Sequence, residues 1–291
     1  MWKNSYGQIR SGWKIIMFLV FVYSISGLFS PLTNLLYTSK DTHVVFYLLL
    51  CLLQLLPVLL TVFVWKKFVK KDIQKMGLTP ISKSYKNLVS GMILGFISIT
   101  IIVVVSCVLG DSGINLQQSF RPDSGMLLGL VFMSFAAFSE EIMLRGFITT
   151  TLAQTKNYPV MLIVPAAIFS ILHAGNTGYN LVAAINIFLI GLFLTLMYIK
   201  TGNLWMSIGF HWIWNYTQGY IFTFSVSGLE QNNGLFSVIQ NRYTVWSGTE
   251  FGPESGMLAT CVILVSLFIV LRFKHIEKPM SLNFAEECES L

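Results

Sequence analysis

Ser139-Glu140-Glu141-Ile142-Met143-Leu144-Arg145 puts three ionisable side chains inside an apolar segment that runs from Met126 to Ile148. If a bilayer surrounds that segment, each charge costs roughly 2.5 to 3.5 kcal/mol. Such a cost points to a use. On a helix Glu141 and Arg145 are four apart on one face, carboxylate first, so they can neutralise each other. Glu140 projects about 100° away and has no such partner. A desolvated carboxylate without a neighbouring cation is the kind of group that can take a proton from water. The rest of the sequence is searched for its partners.

The composition supports a bilayer. Of the 291 residues, 54% are hydrophobic and 11% charged, far fewer charges than a soluble domain carries. Apolar segments long enough to span cover 13–37, 43–65, 88–109, 126–148, 158–172, 181–199, 204–224 and 257–273, which predicts an all-α, polytopic membrane bundle of about eight transmembrane helices. The first segment has a basic start but no small-x-small cleavage site, so it is expected to remain as an anchor. Cys51, Cys107, Cys261 and Cys288 show no CxxC spacing, which gives neither a disulfide framework nor a thiolate metal site.

Basic residues set the expected orientation. Fifteen of the nineteen fall in one set of loops and flanks, including Lys66, Lys67, Lys70, Lys71, Lys75, Lys83 and Lys86. The other set holds three, Lys40, Arg121 and Arg242. This asymmetry places both termini in the cytoplasm. It also accounts for the net charge of +6 without nucleic acid, which is not an expected partner. Residues 1–291 read as one integral membrane domain, with a motif-bearing core over about 126–225 and a cytoplasmic tail over 274–291. The basic linker from Lys66 to Lys86 is expected on an anionic inner leaflet or as a plain charged loop, and the Gly-, Asn- and Ser-rich loop from Ser225 to Ser255 as a cap. Gly91 with Gly95 and Gly125 with Gly129 suggest close helix packing, and Pro57 and Pro165 suggest kinks.

Two further polar pairs stand out. His173 ends the fifth segment in Phe169-Ser170-Ile171-Leu172-His173. Glu140 and His173 lie equally far from the turn near Lys156, so an antiparallel pair brings them to similar depth. His211 and Asn215 are four apart on one face of the seventh segment, about 10 to 16 Å from its start at Leu204. That count favours the cytoplasmic half of the bilayer. An imidazole and an amide side by side can hold an oxyanion, or can simply clamp two helices. Asn186 has no evident partner and is read as packing. His43 and His275 sit at segment ends, and the C-terminal Cys288-Glu289-Ser290-Leu291 lacks the aliphatic centre of a prenylation signal.

Taken in order, Glu140-Glu141-x-x-x-Arg145, Phe169-x-x-x-His173 and His211-x-x-x-Asn215 resemble the three motifs of the CAAX-processing and bacteriocin-processing (Abi) family of intramembrane proteases. The resemblance implies hydrolysis of a peptide bond at or within the membrane. By it, Glu140 and His173 activate a water, Glu141 and Arg145 form a structural pair, and His211 with Asn215 holds the oxyanion. No cofactor is implied. A zinc held by His173, His211 and a Glu stays chemically open, but nothing like HExxH spacing demands it, and a glutamate-type mechanism is favoured. Eukaryotic members of the family act on prenylated CaaX tails, and bacterial relatives are linked to secreted peptides or bacteriocin immunity. The expected partners are therefore a membrane-associated peptide or protein substrate and the bilayer, in a bacterial plasma membrane. The alternative is a non-catalytic immunity or binding protein whose polar residues serve as helix glue. A proton-coupled transporter ranks last, for want of an inverted repeat.

Overall fold

The computed structural model describes residues 2, 9–29, 31–32, 35, 44–69, 72–116, 124–231 and 234–272. Lys40, His43, Lys70, Lys71, Arg121 and the segment 274–291, with His275 and Cys288, lie outside the described residues. Among the described residues eight helices carry the fold: α1 (Ser11–Leu28), α2 (Val44–Val64), α3 (Ile81–Val108), α4 (Ser124–Glu141), α5 (Tyr158–Leu172), α6 (Leu181–Thr201), α7 (Trp205–Tyr216) and α8 (Met257–Arg272). The all-α bundle expected from the apolar segments is what the chain forms. Among the described residues five stretches are long and apolar enough to cross a membrane: Ser11–Leu28, Leu48–Val69, Ile73–Val108, Gly125–Ala153 and Leu181–Thr201.

Burial runs opposite to that of a soluble protein. Val20, Leu59, Val104, Ile163 and Val265 are exposed on the outer faces of five helices, while Glu141, Arg145, Asn186, Thr195, Ser207 and Gln218 are buried. Apolar surface on that scale suits lipid rather than water.

Glycines bring the central helices together. A Cβ at Gly91 or Gly95 of α3 would collide with the Met206 or Phe210 carbonyl of α7, and one at Gly209 of α7 with the Leu88 carbonyl of α3. Gly191 of α6 faces Ala166 of α5 in the same way. Small residues let backbones approach where lipid supplies no hydrophobic drive between helices.

Two helices widen where the chemistry is expected. α4 continues beyond Glu141 as a π-helix, Ile142–Thr149, and a last turn, Thr150–Ala153. α7 continues as the π-helix Thr217–Ile221. In α4 the Thr149 and Thr150 hydroxyls donate to carbonyls five residues back, on Leu144 (3.0 Å) and Arg145 (3.4 Å), partners that the wider turn brings into reach. Wide turns of this kind cluster at functional positions.

The two ends of the bundle differ. At one end lie Lys66, Lys67, Lys83, Lys86, Lys156 and Lys200, and Lys200 donates to the Leu271 carbonyl of α8. At this end the segment from Asp72 to Pro80 turns inward: Met76 is fully buried, Leu204 N–H donates to Gly77 O (3.0 Å), and Trp205 Nε1 donates to Thr79 O (2.8 Å). At the other end β1 (Ser112–Leu116) pairs antiparallel with β2 (Phe236–Gln240), Ser112 opposite Gln240 and Leu116 opposite Phe236. This two-stranded sheet belongs to the cap, which the chain from Ser225 to Gly256 supplies for the rest. Asp111 ties it to α3 by accepting from Arg242 Nε (2.6 Å) and Thr244 Oγ1 (2.6 Å). The two-stranded sheet was not expected, since five residues between a turn and a polar stretch give no readable alternation.

Candidate active site

α4 carries the charges into the centre. Arg145 Nη1 donates to Glu141 Oε1 at 2.9 Å, and both side chains have no exposed surface. The guanidinium also donates to the Gly191 carbonyl (3.1 Å) and the Thr195 hydroxyl (3.4 Å), both on α6. Thr195 in turn donates to Gly191 O. The Phe169 ring of α5 covers its face, with Cζ 4.9 Å from the ring centre. A buried cation needs this many partners, and the arrangement fixes Glu141 in place.

The same Glu141 oxygen holds a second group. His211 Nδ1 lies 3.0 Å from Glu141 Oε1, and its other nitrogen, Nε2, lies 3.8 Å from Glu140 Oε2. His211 therefore sits between two carboxylates. Its Nδ1–H is committed to Glu141, and Nε2 faces Glu140. The Glu140 side chain is 36% exposed, so it faces the surface while its neighbour is sealed. Oε2 of Glu140 and Oε2 of Glu141 are buried and find no hydrogen-bond partner among the described residues. Both oxygens are free to accept from a water or from a donor on a substrate.

His173 follows the last turn of α5. Its Nδ1 is 2.8 Å from the Phe169 carbonyl, and a carbonyl can only accept, so Nδ1 carries the proton and Nε2 keeps its lone pair. The turn behind it is held by Tyr179, whose hydroxyl donates to Ser170 O (3.0 Å), and by Ser170 Oγ, which donates to Ala184 O (2.8 Å). Phe169 joins the two imidazoles, meeting His173 edge-on at 4.7 Å and His211 edge-on at 5.9 Å. Asn215 is half-buried one turn beyond His211 on the same face. Among the described residues no group of three or more His, Cys, Asp and Glu stands close enough to hold a metal ion.

The count from Leu204 took the start of α7 as the membrane surface. That start is buried, with Asn203 and Leu204 almost wholly enclosed beneath the segment from Asp72 to Pro80. His211 follows Phe210, whose carbonyl lies at Gly95 near the middle of α3.

Sequence reading also missed a second buried carboxylate. Glu254, in the cap, accepts from Trp214 Nε1 (3.1 Å), Gln218 Nε2 (3.2 Å), Ser227 N (2.8 Å) and Ser227 Oγ (2.9 Å). Its backbone carbonyl and that of Gly256 accept from Asn186 Nδ2, so Asn186 does have partners, and Thr260 Oγ1 closes the set on Asn186 Oδ1. The sequence signal was present in Gly252-Pro253-Glu254-Ser255-Gly256, an acid inside a turn just ahead of an apolar helix, which composition alone assigns to solvent.

Residues 122–217 match the model of the Rce1-like family, type II CAAX prenyl endopeptidase Rce1-like. No curated protein and no solved structure matches the chain. The matched stretch runs from the approach to α4 into the wide turn of α7, and so contains every residue of the constellation around Glu140. Together with helices apolar enough to cross a bilayer, it describes an integral membrane protein. The match supports the likeness of this stretch to the CAAX-processing and bacteriocin-processing family of intramembrane proteases.

Proposed function

We propose that the chain is a glutamate-type intramembrane endopeptidase that hydrolyses a peptide bond of a membrane-associated peptide or protein, with the core of the activity over about 126–225 of a single membrane domain. The observation that carries this reading is His211 held between Glu141 and Glu140, with unfilled carboxylate oxygens beside a half-exposed Glu140.

Glu140 and the lone pair on His173 Nε2 together take a proton from water as it attacks the carbonyl carbon. The carbonyl electrons move to oxygen, where His211, entering the step as an imidazolium with a proton on each ring nitrogen, donates through Nε2–H, and the Asn215 amide donates beside it, to the resulting oxyanion. Glu141 supports that step by holding the other N–H of His211, and Arg145 holds Glu141 in place. Collapse of the oxyanion breaks the C–N bond, and the proton taken from water passes to the leaving amine. The 3.8 Å between His211 Nε2 and Glu140 Oε2 is too long for a direct hydrogen bond and suits a water bonded to both.

The test compares membranes from cells expressing the wild type and Glu140→Gln by terminal-peptide mass spectrometry. New termini near membrane segments or lipid anchors should vanish in the variant while both proteins insert equally. Identical profiles would remove the enzyme reading and leave the immunity or binding role.

A further inference from the structure

α1 lies outside the matched residues 122–217, yet its course brings it to Glu140. Lys14 Nζ donates to Gln154 Oε1 (3.4 Å), and the Phe18 ring stacks on Phe147 with centres 4.0 Å apart. The two contacts advance in opposite directions along the chain, so α1 runs antiparallel to the end of α4. At roughly 1.5 Å per residue, Tyr23 lies about 7 Å and Ser26 about 12 Å beyond Phe18. Glu140 lies at most about 10 Å from Phe147 in the same direction. Its level therefore falls between Tyr23 and Ser26.

The faces of α1 agree with this register. Ile15, Phe18 and Val22 mark its buried stripe, and Ser26 continues the stripe four residues on. Tyr23, three residues before Ser26, is its neighbour on the flank of that stripe. The Glu140 carboxylate is near enough for its charge to act on the Tyr23 phenol, and both side chains keep part of their surface open.

Ser26 also departs from the way other hydroxyls in these helices are satisfied. Those of Thr61, Thr100, Thr195 and Thr201 each donate to the carbonyl four residues back. That bond is the local solution for a hydroxyl in an apolar helix. The Ser26 oxygen is buried and makes no such bond, and like Glu140 Oε2 and Glu141 Oε2 it has no partner among the described residues.

A helix hides its carbonyls in its own hydrogen bonds, so a peptide cleaved beside Glu140 lies extended there. In apolar surroundings an extended backbone needs partners for its N–H and C=O groups. His211 and Asn215 provide for the scissile carbonyl alone. We infer that the hydroxyls of Tyr23 and Ser26 bind the substrate backbone next to the scissile bond, so that α1 forms part of the substrate site. A hydroxyl donates to a carbonyl or accepts from an N–H, so the pair serves an extended peptide whatever its side chains. The inference rests on the protease reading for its substrate and adds to it two contacts from outside the matched stretch.

Termini lost in Glu140→Gln membranes identify the substrate, and a peptide spanning one of those bonds, in detergent, is the probe for kinetics on the purified full chain. Tyr23→Phe and Ser26→Ala each remove one hydroxyl. Each should raise KM about tenfold, the scale of one hydrogen bond, with kcat within about twofold and thermal unfolding unchanged. Ser24→Ala, which removes an exposed hydroxyl from another face of the same helix, should change neither constant. A merely structural role would lower thermal stability and the active fraction and leave KM alone. An unchanged KM in either variant overturns the inference and keeps the protease, whereas no lost termini in Glu140→Gln overturns both. The placement is tested without activity. With the native cysteines replaced, a short bis-maleimide should join Tyr23→Cys to Glu140→Cys and should not join Ser24→Cys to Glu140→Cys. Equal crosslinking of the two pairs, or none of either, overturns the inference whatever the kinetics.

Discussion

Glu141 and Glu254 are both buried carboxylates that α7 reaches, one through His211 and the other through Trp214 and Gln218, yet their surroundings differ in kind. Glu254 has both oxygens supplied by neutral donors: one indole, one amide, one hydroxyl and one backbone N–H. Glu141 has one oxygen crowded by a guanidinium and an imidazole, and the other without a partner among the described residues. Four fixed donors stabilise a charge that never has to change. An imidazole and open lone pairs suit a charge that takes part in moving protons. The cap carboxylate therefore reads as structure and the α4 pair as chemistry.

The sharpest way to break this division is Glu140→Gln. The amide keeps the shape and loses the base, so cleavage should fall by at least about 10²-fold, the usual scale for losing a general base. The half-exposed side chain makes the stability change small, within about 0.5 kcal/mol. Thermal unfolding in detergent beside a cleavage assay would separate the two effects. A variant that cleaves normally would move the chemistry elsewhere.

Arg145→Met comes next. It strands the Glu141 charge with only His211 beside it, which should destabilise the fold by about 3 to 5 kcal/mol. Adding Glu141→Gln removes the uncompensated charge, so the double variant should be more stable than Arg145→Met alone and still inactive. If the single and double variants unfold together, the pair is not the electrostatic unit that its 2.9 Å contact suggests.

In Glu254→Gln one oxygen becomes an NH₂ that faces donors. The loss should be about 1 to 3 kcal/mol, from donors left without an acceptor. Activity per folded molecule should persist, because Glu254 touches the site only through α7. A large fall in kcat at unchanged stability would erase the contrast with Glu141 and make the cap part of the catalytic apparatus.

These contrasts bear on what the sequence made legible. The eight helices and the stretch around Glu140 could be read directly, because charges inside an apolar run violate the pattern that membrane insertion enforces. The shared face of Glu141 and Arg145 followed from helix periodicity alone. His211 bonding Glu141 through Nδ1 was not legible, since it depends on how α7 rotates against α3 at Gly91, Gly95 and Gly209. The burial of the start of α7 was not legible either, because nothing in the segment from Asp72 to Pro80 signals that its turn folds inward until Gly77 meets Leu204. Glu254 stayed hidden because an acid in a Gly- and Ser-rich loop looks solvated, and its donors come from three residues outside that loop's turn, Trp214, Gln218 and Ser227.

The smallest effect belongs to the clasp that holds the cap on α3, and it tests whether the cap is indifferent to pH as a structural element should be. The Thr244 hydroxyl bond, then the bond and charge of Arg242, hold the Asp111 carboxyl below its ordinary value, against a smaller opposing effect of burial. A carboxylate whose folded pKa is lowered contributes stability that is fully present above the unfolded value of about 3.9 and is lost as the pH falls through the folded value. Between about pH 5 and pH 8 the clasp should therefore not change. Hydrogen exchange of the β1 and β2 amides, corrected for intrinsic rates, should show constant protection across that range and a decline only in stronger acid. Asp111→Asn should lower protection at neutral pH and flatten the acid decline. A clasp that loosened between about pH 5 and pH 8, and lost that dependence in Asp111→Asn, would show the cap responding to the pH of its surroundings. Its carboxylate would then belong with Glu140 rather than with Glu254.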